Sequence, residues 1–329
     1  MPIKSVPVTI LTGFLGAGKT TLLNQIIKQN ADKKFAIIEN EFGEINIDSE
    51  LVVKTNENIF ELSNGCICCS LNGDLFAVLN KLVTGNFEYD HLIIETTGIA
   101  DPSAVASVFL TNYNIQTAFK LDGTVCLIDT KNVLEVIANE DEAAKQILFA
   151  DYIIFNKADK TKEQSLQDIS SIVKKINPLA GHEFSSFANV NTKNIINLKA
   201  YDKAEITYKL GYSNSKSNAL FNTNKEANHH NIVSQSFIFS QSFDLLKIRH
   251  YFTVMLMIQG ASFYRIKGIL NIEGLNQKLI IQSVKGAPVF TDGEDWKKDE
   301  HRQTKLVFIG KKLKRNILEK GLAQCFFKP

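Results

Sequence analysis

Gly13-Phe14-Leu15-Gly16-Ala17-Gly18-Lys19-Thr20 satisfies the pattern G-x-x-x-x-G-K-[ST]. Its flanks decide the fold as much as the motif does. The apolar run Val8–Thr12 precedes it with the character of a strand, and Leu22, Leu23, Ile26 and Ile27 follow at the spacing of one helix face. A phosphate needs a turn without Cβ obstruction, so that successive backbone N–H groups point at its oxygens beside a helix N-terminus. Gly13, Gly16 and Gly18 provide that room, with Ala17 between them inside the turn. Lys19 then places a compact positive charge on the β/γ-phosphates, the Thr20 hydroxyl holds Mg²⁺, and Thr21 reaches a phosphate one position deeper. A chance glycine-rich turn does not come with a strand on one side and a helix on the other.

Working outward, short β-branched runs alternate with helical patterns up to about residue 190, as a parallel sheet covered on both faces reads. Strands are predicted at Val8–Thr12, Phe35–Ile38, His91–Glu95, Thr124–Asp129 and Tyr152–Asn156, with a weaker one near Glu183–Phe187. A second helix follows Gly73 and another follows Thr161. The stretch from Tyr212 to Asn231 is rich in Asn and Ser and reads as a linker. Beyond it the predicted order is strand Ser236–Ser240, helix Asp244–Gln259, strands Ser262–Leu270, Lys278–Ser283, Pro288–Thr291 and Lys305–Ile309, and helix Lys312–Leu322. The expected fold class is therefore α/β: a P-loop NTPase domain with a mostly parallel sheet over residues 1–205, a linker over 206–233, and a smaller C-terminal α+β domain over 234–329.

The strand Tyr152–Asn156 runs into Asn156-Lys157-Ala158-Asp159, an N-K-x-D at the sheet edge where α/β proteins bind ligands. A carboxylate there accepts both N1–H and the exocyclic N2–H of guanine, whereas adenine has no matching donor pair. Asp159 is the predicted base reader, Asn156 the brace of its loop, and the alkyl stem of Lys157 a cover for the base plane. The nucleotide is read as GTP. Two acids compete for the metal side of the phosphates. Glu95 is followed by Thr-Thr-Gly98, an acid-x-x-Gly switch in which the glycine N–H senses the γ-phosphate, and is preferred. Asp129 is either a residue of the ligand face or the cap of the next helix. No residue presents itself as the positioner of the attacking water.

Five cysteines are present, and three of them, Cys66, Cys68 and Cys69, fall within four positions. Neighbouring cysteines do not easily bridge one another, so a reducing compartment fits better than a disulfide framework. Thiolates select zinc, cuprous copper or cobalt-like ions over magnesium. The three converge only if the chain turns after Cys68, and a closed zinc staple would need a fourth ligand. An incomplete set suits a transfer site, with redox thiols and inert cysteines as the alternatives. Cys126, within an apolar run, reads as a small buried hydrophobe. The formal charge of +2 argues for neither a nucleic-acid nor an anionic-membrane surface. Without a signal-like N-terminus or a spanning apolar run, the expected location is cytoplasmic.

Five motifs in order, G-F-L-G-A-G-K-T at Gly13–Thr20, E-N-E-F-G-E at Glu39–Glu44, G-C-I-C-C at Gly65–Cys69, E-T-T-G at Glu95–Gly98 and N-K-A-D at Asn156–Asp159, resemble the CobW-related metallochaperone GTPases. The segment with Arg302 and Leu306–Gly310 is similar to that family's second domain. The resemblance implies GTP hydrolysis coupled to delivery of zinc, or alternatively cobalt, to a client metalloprotein, and adds Glu39 and Glu44 as metal ligands beside the cysteines. On bare chemistry those two are hard ligands that serve Mg²⁺ equally well. The family often has histidine-rich loops, whereas this chain has only His229-His230 in the linker. A homodimer is admitted as a partner state; nucleic acid and membrane are not. The rival readings are a nucleotide-gated metal sensor or store and a small-molecule P-loop kinase, and the latter explains neither N-K-A-D nor the cysteines.

Overall fold

Val6-Pro-Val-Thr-Ile-Leu-Thr12 forms the first strand, β1, and its last five residues are buried, so it runs through the middle of a layer with apolar cover on both faces. The structure is a computed structural model and describes residues 5–39, 59–63, 73–85, 87–202, 206, 232–284 and 286–328. The chain divides into two compact units, Met1–Val173 with Leu179–Ala200, and Lys174–Pro178 with Tyr201–Pro329.

In the first unit α1 (Lys19–Gln29) follows β1, and β2 (Phe35–Glu39), β3 (Ile59–Ser63), α2 (Gly73–Thr84) and β4 (His91–Glu95) come next. Then come α3 (Pro102–Thr111), α4 (Tyr113–Ala118), β5 (Phe119–Asp129), α5 (Val133–Asn139), α6 (Asp141–Phe149), β6 (Tyr152–Asn156), α7 (Glu163–Ile176) and β7 (Gly181–Phe184). The seven strands form one sheet in the order β3-β2-β4-β1-β5-β6-β7, and every neighbouring pair is parallel. The predicted α/β class holds. β3 was not anticipated, and neither were α3, α4 and α6; α5 was anticipated only as the helix following Asp129, without bounds. β7 starts two residues before the weak strand expected near Glu183–Phe187 and ends at Phe184, three residues before the expected end; Phe187 and Ala188 take left-handed φ values of 55° and 53° that no strand accommodates.

The second unit contains β8 (Ile232–Phe239), α8 (Leu245–Gln259), β9 (Phe263–Leu270), β10 (Gln277–Val284), β11 (Ala287–Asp295), β12 (Thr304–Lys311) and α9 (Arg315–Ala323). Its strands make an antiparallel sheet in the order β11-β10-β9-β12-β8. One face of that sheet packs with α8 and α9 around Phe237, Phe252, Ile266, Phe308 and Leu322. This is the expected α+β arrangement, strand for strand. No helix among the described residues is long and apolar enough to cross a membrane.

Candidate functional site

The Gly-rich loop joins β1 to α1, and its glycines do what no other residue could. Gly13, Gly16 and Gly18 have φ of 142°, 72° and 106°. A Cβ at Gly13 would stand 2.3 Å from the Leu127 carbonyl oxygen on β5, and one at Gly18 would stand 2.5 Å from Nδ2 of Asn156. The loop is thus pressed between two strand ends. Gly18 is the N-cap of α1 and carries no capping side chain, so the first-turn N–H groups face outward without a side-chain acceptor, an arrangement suited to an anion. Ala17 is buried and Thr21 exposed. Lys19 arches back over the loop, its Nζ donating to the Gly13 carbonyl at 3.1 Å. The Thr20 hydroxyl donates to Oε1 of Glu95 at 3.3 Å. A hydroxyl beside a carboxylate is a hard-oxygen pair of the kind Mg²⁺ selects.

Glu95 ends β4, in register with Leu11 of β1. The segment after it is clipped to the root of the Gly-rich loop: Thr96 N–H donates to Leu11 O at 2.9 Å, and its hydroxyl reaches Thr12 Oγ1 at 3.1 Å. Gly98 lies against the tip of the loop, where an added Cβ would come within 2.7 Å of Leu15 N. The carbonyl of Gly98 is held from α6, by Gln146 Nε2 at 3.0 Å. The same amide group also donates to Ala100 O at 3.2 Å. Nothing in the sequence singled out Gln146, whose partners lie nearly fifty positions away.

On the other side of the loop, Asn156 ends β6 with its side chain only 2% exposed. Its Nδ2 donates to Ala17 O at 2.8 Å, and its Oδ1 accepts from Ala188 N–H at 2.9 Å. Asp159 is exposed in the 3-10 turn Ala158–Lys160, and its N–H donates to Ser186 Oγ at 3.2 Å. Ala158 N–H donates to Ser185 O at 3.0 Å. The loop Ser185–Ala188 is therefore a second support of the N-K-x-D turn. Sequence reasoning missed it, since Ser-Ser-Phe-Ala after a weak strand has no charge or spacing to mark it. Asp129 is not the cap offered for it; it ends β5 in register with Asn156, at the edge of the sheet where the N-K-x-D turn begins. The N-cap of α5 is Asn132, while Asp129 Oδ1 accepts from Lys131 N–H at 3.0 Å and its Oδ2 pairs with Lys157 Nζ at 2.8 Å.

Glu39 ends β2, 9% exposed. It stands in register with Glu95 of β4 on one side and Ser63 of β3 on the other. With strands about 4.8 Å apart, Ser63 sits roughly 10 Å from Glu95 across the sheet, and Cys66 follows three residues later. Cys66, Cys68, Cys69 and Glu44 lie outside the described residues, as do His229 and His230. Among the described residues no group of three or more His, Cys, Asp or Glu side chains could hold a metal ion. Cys126 is fully buried, and burial pushes its thiol up to about 12. Cys325 is likewise buried and raised to about 11. Both are poor thiolate donors. His91, buried at the start of β4, puts Nε2 2.8 Å from the Thr9 hydroxyl and serves the core.

Comparison with known proteins agrees with this geometry. The family model described as CobW/HypB/UreG, nucleotide-binding domain, matches residues 7–182, and that of the cobalamin synthesis protein cobW C-terminal domain matches residues 232–326. The chain is 30% identical over 328 residues to the zinc chaperone YjiA of Escherichia coli, covering 98% of this chain and 99% of that one. It is 28% identical to the zinc-regulated GTPase metalloprotein activator 1 of Saccharomyces cerevisiae, covering 97% of this chain and 83% of the relative. Among solved structures, the Zn(II)-bound YjiA GTPase from E. coli superposes with a TM-score of 0.76 at 26% identity, covering 98% of this chain and 100% of that one.

Proposed function

This chain belongs to the CobW/HypB/UreG family of nucleotide-binding proteins, and on that premise we propose that it is a GTP-hydrolysing metallochaperone that carries zinc at Cys66, Cys68 and Cys69 and delivers it to a client metalloprotein. GTP hydrolysis is the family's chemistry. In this reading the Gly13–Thr21 turn cradles the phosphates, and Lys19 neutralises the β/γ-oxygens. Asp159 reads guanine. Thr20 and Glu95 would hold Mg²⁺, which supplies charge neutralisation on the transferring phosphoryl group. Gly98 senses the γ-phosphate. Zinc is the cargo, with cobalt compatible with the same thiolates, and Glu39 and Glu44 supplement the sulfur ligands.

The single observation that supports coupling is the strand register. Glu39, beside Glu95, lies one strand from the point where β3 leads into the cysteine motif. A rearrangement that follows loss of the γ-phosphate at Glu95 and Gly98 therefore has two neighbouring strands to cross before it reaches Ser63, the end of β3, three residues before Cys66 in the sequence. A tight thiolate site releases its ion quickly only when its geometry is broken.

The test is zinc affinity of the reduced full chain, measured with a non-hydrolysable GTP analogue and again with GDP. Tighter binding in the GTP-like state is expected, and a chain with serine at positions 66, 68 and 69 should lose the tight site while keeping its nucleotide affinity. Equal zinc affinities in the two nucleotide states would remove the coupling. Transfer of zinc to a separate apo-protein distinguishes a chaperone from a sensor or store.

A further inference from the structure

Lys157 is a long-chain residue at φ 59°, a left-handed conformation that costs an ordinary residue about 1 kcal/mol or more and persists only where its surroundings impose it. Those surroundings come from the end of β5. Thr130 N–H donates to Asn156 O at 3.1 Å, and the Thr130 hydroxyl donates to the Lys157 carbonyl at 3.0 Å. Thr161 Oγ1 lies 2.9 Å from that hydroxyl and orients it. At the far end of the side chain, Nζ is fixed 2.8 Å from Asp129 Oδ2. The paired side chains are only 16% and 30% exposed, Asp129 the less, so the pair is better shielded from water than a surface ion pair. Asp129 is itself held by Lys131 N–H.

A lysine fixed at both its main chain and its ammonium has no rotamer freedom left between them. Its four methylenes run between those two anchors as an apolar strip one residue from the turn that carries Asp159. A tethered ammonium also cannot swing toward the phosphates, and Lys19 is left as the cation of the Gly-rich loop.

We propose that Asp129 and Thr130 are positioning residues for the nucleotide: they lock Lys157 so that its stem forms a fixed floor for the purine ring, and Asp129 affects guanine nucleotide affinity only through Lys157. The proposal rests on the GTP reading above. Because the floor is built before the ligand arrives, the entropy of ordering Lys157 is not charged to binding. The floor contacts the ring faces common to all purines, so it sets affinity, while discrimination belongs to Asp159.

The experiment is a double-mutant cycle on the full chain, read with a fluorescent methylanthraniloyl-GDP and with steady-state GTP hydrolysis. Asp129→Ala should weaken GDP analogue binding by about tenfold, roughly 1.4 kcal/mol. It should raise KM for GTP by more than it lowers kcat. Lys157→Met should lose a similar amount, and the double variant should be no weaker than the weaker single. The preference for GTP over ITP, which lacks the exocyclic amino group, should stay at the wild-type ratio. If Asp129→Ala fails to fold, Asp129→Asn keeps an acceptor for Lys131 N–H, removes the charge and is read in the same cycle. Binding within twofold of wild type, or a loss from Asp129→Ala that persists undiminished in the Lys157→Met background, overturns the proposal. A wild-type chain that binds no guanine nucleotide at all would instead overturn the GTP reading.

Discussion

Asn156 uses both ends of its carboxamide on other loops, donating to Ala17 and accepting from Ala188, and so ties the Gly-rich loop to the N-K-x-D turn. Buried polar groups of this kind are costly to leave unmade, and His91 shows the same logic with a proton. Burial holds its imidazole down at about 3 from the usual 6.5, with the Lys33 charge adding to the effect. In the native state it stays neutral beside Thr9, whereas the unfolded chain takes up a proton near pH 6.5. The stability it contributes is therefore complete above about pH 6.5 and declines as pH falls toward about 3, with a slope approaching 1.4 kcal/mol per pH unit. Asp122, whose carboxyl is raised by burial, works in the opposite sense at low pH. Denaturant melts of wild type and His91→Asn between pH 7 and 5 isolate the effect: the variant should be flatter, and parallel curves would exclude it. Motif spacing made the glycines legible, because their neighbours in sequence are also their neighbours in the turn. The Asp129–Lys157 pair and the Ser185–Ala188 support span 28 and about 30 positions, and such distances leave no periodic mark.

Among elements, α8 was legible to within one residue: the predicted helix opens at Asp244, which is its N-cap. Asp244 stands before an apolar run, and in the structure its Oδ1 accepts from Leu246 N–H at 2.9 Å and Lys247 N–H at 3.0 Å. Asp244→Ala should destabilise the second unit by about 1 kcal/mol, and Asp244→Ser should recover most of that, measured by hydrogen exchange of the α8 amides. No change in their protection would mean the cap is redundant. Three of the helices that escaped a full reading, α3, α4 and α5, had no legible stripe. In α3, seven of the ten residues are buried, all of them between Pro102 and Phe109, serine and proline included, so no polar face sets a period of 3.6. α4 and α5 have six and seven residues, too few for a period to show. β3 is a five-residue strand at the margin of the sheet, bonded to β2 alone, and Ile-Phe-Glu-Leu-Ser lacks the unbroken apolar run that marked β4 and β6.

For the molecule as a whole, the alternation of strand and helix gave way to grouped strands, and that change alone separated a parallel sheet from an antiparallel one. What stayed hidden was strand order. β2 pairs with both β3 and β4, and only that adjacency brings Glu39 beside Glu95. Among the described strands β3 is also the outermost on its side, bonded along β2 alone, whereas β1 is flanked by β4 and β5. Freeing β3 breaks one ladder, and freeing β1 breaks two. Amides of Ile59–Ser63 should therefore exchange with deuterium faster than those of Val8–Leu11, and equal protection would show that the edge is as firm as the centre. One margin of the sheet can thus come open at the cost of a single seam, while the two seams that grip β1, and with it the root of the Gly-rich loop, stay closed.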